Sequence, residues 1–244
     1  GKTVDIIKSR QKAYLEEYFA AMPEGERRKV RWICSDMYEE YADCKRKYFP
    51  GAKLVIDHFH VVCQLTEAIN QIRARTMKEL DQSTMEYKFM KSKWKLFVCH
   101  RSNIPDKWMT SKTTGESRHY DELLKSCLEK SKSLSEGYDA LQSLLDYRYG
   151  EQSYTDASKF IGFMSQKLLN CSSDLLRKVG STYKRWRNEI AMGLCRNEEE
   201  LRLTNAKMEA TNNLVKTVIK EAYGYRNFER FRKRALLILW GKKR

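Results

Sequence analysis

Short apolar runs near the start of the chain predict strands, with a helical segment between them. The runs at residues 30–37 (VRWICSDM) and 53–62 (KLVIDHFHVV) predict two buried strands. Residues 38–49 place apolar side chains at helical spacing, and Pro50 ends that helix. A strand, a helix and a strand in this order predict parallel pairing with a right-handed crossover.

The residues before this unit predict one more strand and one more helix. Residues 3–7 (TVDII) read as a short strand because β-branched residues dominate them. Residues 10–22 form an amphipathic helical pattern that Pro23 and Gly25 end. The beginning of the chain is therefore predicted to be an α/β region.

A long helical region is predicted from residue 65 to residue 203. Gly and Pro are sparse there, and apolar residues recur every three or four positions. Breaks are expected near residues 103–115 and at Gly150. The region contains no internal repeat, so we expect either an insertion into one domain or a second domain. The successive helical candidates are residues 64–80, 83–98, 118–150 and 155–194.

The last helical segment carries one acid among amides and bases. At about 100° per residue, its polar residues fall within one narrow stripe and its apolar residues fall opposite. A carboxylate anchored in this way can meet a second carboxylate over a metal ion, although a solvated helix face gives the same pattern. The stripe consists of Glu209, Asn213, Lys216 and Lys220, and the apolar face of Leu214, Val215, Val218, Ile219 and Ala222.

Composition sets the class of partner only loosely. The chain has 244 residues, of which 41% are hydrophobic, enough to bury one substantial core or two modest ones. Its 47 Lys and Arg residues against 32 Asp and Glu residues give a net charge of +15, which favours a polyanion such as nucleic acid. No apolar run approaches the about 20 residues that cross a bilayer, and the first residues do not resemble a signal peptide. We expect a soluble, intracellular protein without a membrane partner.

The sequence offers no assembled nucleophile. The 7 cysteines contain no CxxC pair, so we interpret them as reduced core thiols rather than as a zinc site or a disulfide framework. No Ser, Cys or His stands with a recognisable base and orienting group, and no glycine-rich phosphate loop is present.

Two acids follow the predicted strands, at the edge where α/β sheets place their chemistry. Asp36 ends one apolar run, and Asp57 ends the apolar part of the next. Asp36 and Glu209 together could bind Mg2+ or Mn2+, whereas the alternative makes Asp36 the N-cap of the following helix. His60, in the tetrapeptide DHFH, is a further candidate ligand, although such histidines are more often satisfied core groups.

Three segments interleave basic and aromatic residues: 88–101, 183–187 and 223–234. This mixture suits phosphate contacts with stacking beside them, although lysines extending along a helical core look the same. With the polar stripe, these segments supply the candidate nucleic-acid-binding residues: Lys95, Arg185, Asn213, Lys216, Lys220, Arg226, Arg232 and Arg234.

Two ordered motifs resemble a known family. The first is residues 30–73, in which a strand ends in Asp-Met, a helix ends before Phe-Pro-Gly-Ala, and Asp-His-Phe-His-Val follows. The second runs from Thr204-Asn205 through Glu209, Asn212-Asn213 and Lys216 to YGYRNF and FRKR. Together they resemble bacterial insertion-sequence transposases of the ISL-three family, and with weaker matches between them the resemblance covers nearly the whole chain.

The resemblance implies a ribonuclease H-like α/β core in which Asp, Asp and Glu bind two divalent metals. Asp36 matches the second acid and Glu209 the third, while Asp57 and His60 match a motif with a structural or DNA-facing role. The implied activity is metal-dependent cleavage and strand transfer of double-stranded DNA, at transposon ends and target. A homo-oligomer on DNA and a location in the bacterial cytoplasm, associated with the nucleoid, are also implied.

One departure from the family concerns its first acid, which lies on a strand that this chain begins too late to contain. Asp5 is a poor substitute, so we expect a fragment that lacks the first strands and is inactive alone. The expected domains are a partial core (1–64), an all-helical insertion (65–203), and a closing helix with a basic tail (204–244). The chain as a whole should be predominantly helical. A non-catalytic nucleic-acid-binding module and a helical interaction scaffold are the alternatives.

Overall fold

The computed structural model describes residues 3–112, 114–147, 151–195, 203–222 and 224–241. The chain forms two compact units. Residues 1–57 and 203–244 make up the first, which we call the split unit, and residues 58–202 make up the second, which we call the helical unit. The described residues are predominantly helical, which confirms that prediction. None of their helices is both long enough and apolar enough to span a membrane.

The regular elements follow one another in a simple order. The helices are α1 (Lys12–Ala21), α2 (Glu24–Arg28), α3 (Glu39–Tyr48), α4 (His58–Lys78), α5 (Met85–Ser92), α6 (Tyr120–Glu129), α7 (Lys132–Leu145), α8 (Tyr154–Leu169), α9 (Asp174–Arg185), α10 (Arg187–Leu194), α11 (Ala206–Glu221) and α12 (Phe228–Gly241). The strands are β1 (Trp32–Ser35), β2 (Lys53–Ile56), β3 (Trp108–Thr110) and β4 (Ser117–His119).

The sheet of the split unit pairs β1 with β2 in parallel, as the order of strand, helix and strand predicted. The register runs from Trp32 opposite Lys53 to Ser35 opposite Ile56. Ile56 is fully buried, and α3 forms the crossover between the strands. Because parallel strands end at the same edge, the residues that follow Ser35 and Ile56 leave the sheet side by side.

Two strand predictions in the split unit are wrong. Residues 3–7 contain no strand, because this segment packs on α12 instead of pairing with another strand: Trp240 Nε1 donates to Thr3 O at 2.9 Å. The strand predicted over 53–62 ends at Ile56, because the buried residues after it, including Val61 and Leu65, follow a helical period and begin α4.

Helices α11 and α12 share a small core of Val218, Phe231 and Ala235. Gly224 lies between the helices with a φ of +97°, and its N–H donates to Ile219 O at 3.0 Å, an arrangement that closes the end of α11. Ile219, expected on the apolar face, is 40% exposed because it lies at the edge of that face. A basic tail was predicted after the closing helix, and this part of the chain contains α12.

The helical unit is built around α4, which packs against α7, α9 and α10. Helix α8 packs closely on α9 at Gly180, where an added Cβ would lie 2.9 Å from Ser165 O. Ser165 Oγ donates to Gly180 O at 2.9 Å, and the buried Tyr183 hydroxyl donates to Val61 O at 2.6 Å. These hydrogen bonds satisfy polar groups where the helices approach most closely.

The prediction that residues 65–203 are all helical is wrong at one place. Strands β3 and β4 form an antiparallel hairpin, with Trp108 opposite His119. Gly115 adopts a φ of +71° in the turn, and its N–H donates to Ser111 O at 2.9 Å. Glycine takes this left-handed conformation without a steric cost. The predicted helical break near 103–115 therefore includes part of a hairpin.

Candidate active site

Asp57 connects the end of β2 to the start of α11. Its side chain is buried, and its Oδ2 accepts hydrogen bonds from Thr204 Oγ1 at 2.9 Å and from Asn205 N at 2.6 Å. Its backbone N–H donates to Ser35 O at 3.2 Å, which extends the pairing of the two strands. A buried carboxylate needs such donors, so Asp57 fixes the position at which α11 begins.

Asp36 follows β1 at the same edge, and one of its carboxylate oxygens has no partner among the residues that the structure describes. The residue is half-buried, and among the described residues no donor reaches its buried Oδ1. The alternative role as an N-cap is wrong: the N-cap of α3 is Tyr38, whose side chain makes no capping hydrogen bond with any described residue. Because an orphaned buried oxygen is costly, this atom is suited to binding a cation.

Two tyrosines lie close enough to Asp36 to be affected by its charge. Burial, followed by the negative charge of Asp36, raises the pKa of Tyr41 above its ordinary value. The Arg10 guanidinium stacks over the ring of Tyr38, 4.9 Å from its centroid. The negative charge of Asp36 therefore acts on Tyr41 and also on Tyr38, and sequence reasoning did not single out these neighbours.

Glu209 lies on the first turn of α11 and is half-buried. Its backbone N–H donates to Asn205 O at 2.9 Å, and Asn205 is itself held by Asp57. The four residues from Asn205 to Glu209 correspond to a rise of about 6 Å along the helix. Neighbouring strands lie about 4.8 Å apart, so Asp36 and Asp57 leave adjacent positions of the sheet. Asp36 and Glu209 are thus carried by connected elements at one sheet edge.

The donor set fits a divalent cation only in part. Carboxylate oxygens are the ligands that Mg2+ and Mn2+ prefer, and Asp36 and Glu209 are the residues that could supply them. Within the described ranges, no group of three or more His, Cys, Asp or Glu side chains is arranged to hold a metal. The described residues therefore provide an incomplete set of ligands.

Asp5 is committed to an ion pair. Arg232 donates from Nε to Asp5 Oδ1 at 2.6 Å and from Nη2 to Asp5 Oδ2 at 2.7 Å. These hydrogen bonds lower the pKa of Asp5 and raise the pKa of Arg232. The pair joins the first residues to α12. It also occupies the guanidinium of Arg232, which we predicted to bind nucleic acid.

His60 lies in the first turn of α4, within the helical unit, whereas Asp57 belongs to the split unit. The His60 ring contacts Phe59 edge-on, with 5.6 Å between the centroids. The DHFH motif therefore spans the boundary between the two units, and the metal role of His60 stays a prediction.

The other candidate nucleic-acid-binding residues are exposed. Lys95 Nζ lies 5.8 Å from the centroid of the Trp94 ring, so one basic and one aromatic side chain do lie together in that segment. The exposed candidates are Lys95 and Arg185 in the helical unit and Asn213, Lys216, Lys220, Arg226 and Arg234 in the split unit.

Two of the 7 cysteines are poorly suited to act as nucleophiles. Among the described residues, none of the 7 forms a disulfide bond. Burial, reinforced by the charge of Asp57, raises the pKa of Cys34 to about 12, and burial raises that of Cys127 to about 12. Both side chains are protonated at neutral pH and are therefore poor nucleophiles.

Comparison with known proteins identifies the family of the chain. No curated protein and no solved structure matches it. The family model described as a transposase of the ISL3 type matches residues 1–235, which is nearly the full length. This match includes the strand end with Asp36, the Asp57 anchor and the helix with Glu209. The chain belongs to the ISL-three family of transposases.

Proposed function

We propose that this chain carries the second and third acids of a metal-dependent DNA transposase with a ribonuclease H-like core. In this proposal Asp36 and Glu209 are catalytic residues, and the reaction is cleavage and strand transfer at insertion-sequence ends. The observation that supports it most directly is the buried Asp36 Oδ1, which has no donor among the described residues. Asp36 follows the strand that pairs with β2, and Asp57 at the end of β2 holds the start of the helix that carries Glu209. Transposition of DNA is the function of the family.

Each residue of the site has a proposed role. The carboxylates of Asp36 and Glu209 would hold Mg2+ or Mn2+, which when bound activates the attacking oxygen and stabilises the leaving oxygen of a phosphodiester. Asp57 holds Thr204 and Asn205, so it orients α11 without touching the reacting atoms. Two carboxylates hold a pair of divalent ions poorly, so full activity requires a further carboxylate.

The domain organisation follows from the same proposal. We propose that residues 65–203 are an insertion in the core, and that residues 1–64 and 204–244 contribute the core itself. The discontinuity of the split unit supports this organisation, because residues 1–57 and 203–244 form one compact unit although they are far apart in the chain. The exposed basic side chains of α11, with Arg226 and Arg234, would contact the DNA backbone.

Direct binding of Mn2+ to the purified chain tests the site without requiring activity. We expect Asp36→Asn and Glu209→Gln each to weaken binding at least about tenfold, since each removes a charged ligand. The control is Glu221→Gln, which removes an exposed carboxylate from the end of the same helix. If Asp36→Asn and Glu209→Gln bind Mn2+ as tightly as Glu221→Gln does, the assignment of Asp36 and Glu209 as metal ligands is contradicted.

The second test measures cleavage of DNA that contains the insertion-sequence ends, in a protein that combines this chain with the further carboxylate. Because a bound metal contributes several kcal/mol to the transition state, either substitution should reduce cleavage at least about a hundredfold. A protein that cuts normally with Glu209→Gln would refute the catalytic role. A protein that binds DNA but never cuts would favour the non-catalytic binding module, which the net charge of +15 also supports.

A further inference from the structure

The helical unit contains a cleft that none of these roles uses. It has a volume of about 440 Å³ and lies between α5 and the β3–β4 hairpin. Lys88 and Lys91 line it from α5, and Lys112 lines it from the hairpin turn. Met85 and Met109 provide apolar surface between these cations. A cleft of this composition can hold an anionic group beside an apolar one.

The charge of the cleft is positive. Among the lining residues that the structure describes, three are lysines and none is a carboxylate, while Lys88 also interacts electrostatically with Asp81 outside this lining. Within the part of the chain that the structure describes, none of these three lysines forms a salt bridge. Three neighbouring ammonium groups raise the local concentration of an anion and bind phosphate oxygens as point charges.

The nearest acid on α5 is used elsewhere. Glu86 Oε1 accepts hydrogen bonds from Arg118 Nη1 at 2.8 Å and from Ser126 Oγ at 2.7 Å. Arg118 belongs to β4, so this contact ties the hairpin to α5 and holds the two sides of the cleft together. A site whose walls are fixed in advance loses less conformational entropy when it binds.

Two exposed aromatic residues lie close in sequence to the walls of the cleft. Trp108, at the start of β3, is 63% exposed, and Trp94, just after α5, is 40% exposed. Large exposed rings beside lysines can stack on sugars and bases, whereas an acidic peptide would gain little from them. The combination of lysines in the cleft and exposed rings in the adjoining segments therefore favours nucleic acid over an acidic polypeptide.

We propose that this cleft binds the sugar–phosphate backbone of DNA through Lys88, Lys91 and Lys112, independently of base sequence. The inference rests on the proposed function, because it assigns the DNA substrate a second contact surface, on the helical unit. Phosphate contacts position a duplex and carry no sequence information, so the cleft should bind end-containing and unrelated DNA alike.

A charge-matched comparison tests the cleft. The test variant replaces Lys88, Lys91 and Lys112 with Ala, and the control replaces Lys125, Lys159 and Lys178, exposed lysines of the same unit outside the cleft. Affinity for a short labelled duplex is measured by fluorescence anisotropy over a range of salt concentrations. Each lost phosphate contact reduces the slope of log affinity against log salt by about 0.9, so we expect a decrease of about 2 to 3 in the test variant.

We also expect the test variant to bind duplex at least about tenfold more weakly than the control, by the same factor for end-containing and random sequence. Equal affinities and slopes for the two variants would overturn the inference. Unchanged DNA binding with loss of binding to a polyglutamate peptide would overturn it in favour of an acidic partner.

A milder variant and a separate catalytic control keep the result decisive. Lys91→Gln with Lys112→Gln changes only exposed side chains, and it should reduce the slope by about 1 to 2 if the fold is intact by circular dichroism. Cleavage of end-containing DNA, measured on the same lysine variants, is the catalytic control, and cleft-dependent binding supports the cleft whether or not the protein cuts DNA.

Discussion

The two units of this transposase differ in what their interiors contain. Of the twelve largest fully buried side chains among the described residues, only Ile56 belongs to the split unit; the others, such as Tyr183 and Phe89, belong to the helical unit. The split unit instead contains Asp57, the one acid among the described residues whose side chain is buried, and the candidate ligands Asp36 and Glu209. Dense apolar packing and the candidate acids therefore lie in separate parts of the chain.

Physical reasons favour this separation. A densely packed interior tolerates few unsatisfied polar groups, because each costs about 1–3 kcal/mol. A site that binds cations requires oxygens without protein donors, and its surroundings are correspondingly less stable. We therefore expect the helical unit to resist local unfolding more strongly than the split unit.

The largest expected effect comes from Ile161, a fully buried residue of α8 in the helical unit. Ile161→Ala should lower the free energy of unfolding by about 2–5 kcal/mol, because it leaves a cavity. Urea unfolding measured by circular dichroism gives this value, and amide exchange shows where protection is lost. The matched control is Phe163→Ala on the same helix, where the side chain is 60% exposed and the change should be small. Equal losses of unfolding free energy in the two variants would show that burial in the helical unit does not add to its stability.

A smaller effect is expected at the anchor of the split unit. Asp57→Ala leaves the donors of Thr204 and Asn205 unsatisfied, which should cost about 1–3 kcal/mol. Amide exchange should become faster in α11 while the core of the helical unit keeps its protection. Glu221→Ala, at an exposed site on α11, should change neither. Faster exchange throughout both units would contradict a local anchor.

The same substitution has an independent readout in Cys34. The charge of Asp57 contributes to the raised pKa of this thiol, so Asp57→Ala should lower that pKa below about 12, while burial keeps it above the ordinary value. The rate of thiol alkylation as a function of pH measures this change. An unaltered pKa in a folded variant would mean that burial alone protects Cys34.

The smallest effect concerns pH and the Asp5–Arg232 pair. Hydrogen bonds from Arg232 lower the pKa of Asp5, so its carboxylate stabilises the folded state above the unfolded pKa, which is close to 3.8. That contribution is lost as pH falls through the lower folded pKa. For a partly exposed pair it amounts to less than about 1 kcal/mol. Thermal unfolding at pH values between about 2 and about 6 should show that the stability of Asp5→Asn depends less steeply on pH than that of the unchanged protein. An identical dependence would mean that the pair adds nothing.

Sequence alone predicted the parts of the fold that depend on local pattern. The parallel pair of β1 and β2 was predicted because apolar runs and a helical period alternate there. Residues 3–7 were predicted wrongly, since strand propensity forms a strand only where a neighbour offers hydrogen bonds. The hairpin was missed because strands of three residues are too short to show an alternating pattern.

The candidate site was predictable by position but not by contact. Asp36 and Asp57 end apolar runs, which placed them at a sheet edge from sequence. That Asp57 binds Thr204 and Asn205 required the fold, because these residues are far apart in the chain. The ion pair between Asp5 and Arg232 likewise could not be predicted from the pattern of charges along the chain.

The hydrogen bonds of Asp57 also bear on how the chain could change in length. They hold residue 57 in contact with residues 204 and 205. Residues 58–202 therefore leave the split unit and return to it at neighbouring positions, as a closed loop does. The entropy of closing such a loop grows only with the logarithm of its length. Segments of very different size could therefore occupy this place at little thermodynamic cost, and a short turn from Asp57 to Leu203 could bridge the same two ends.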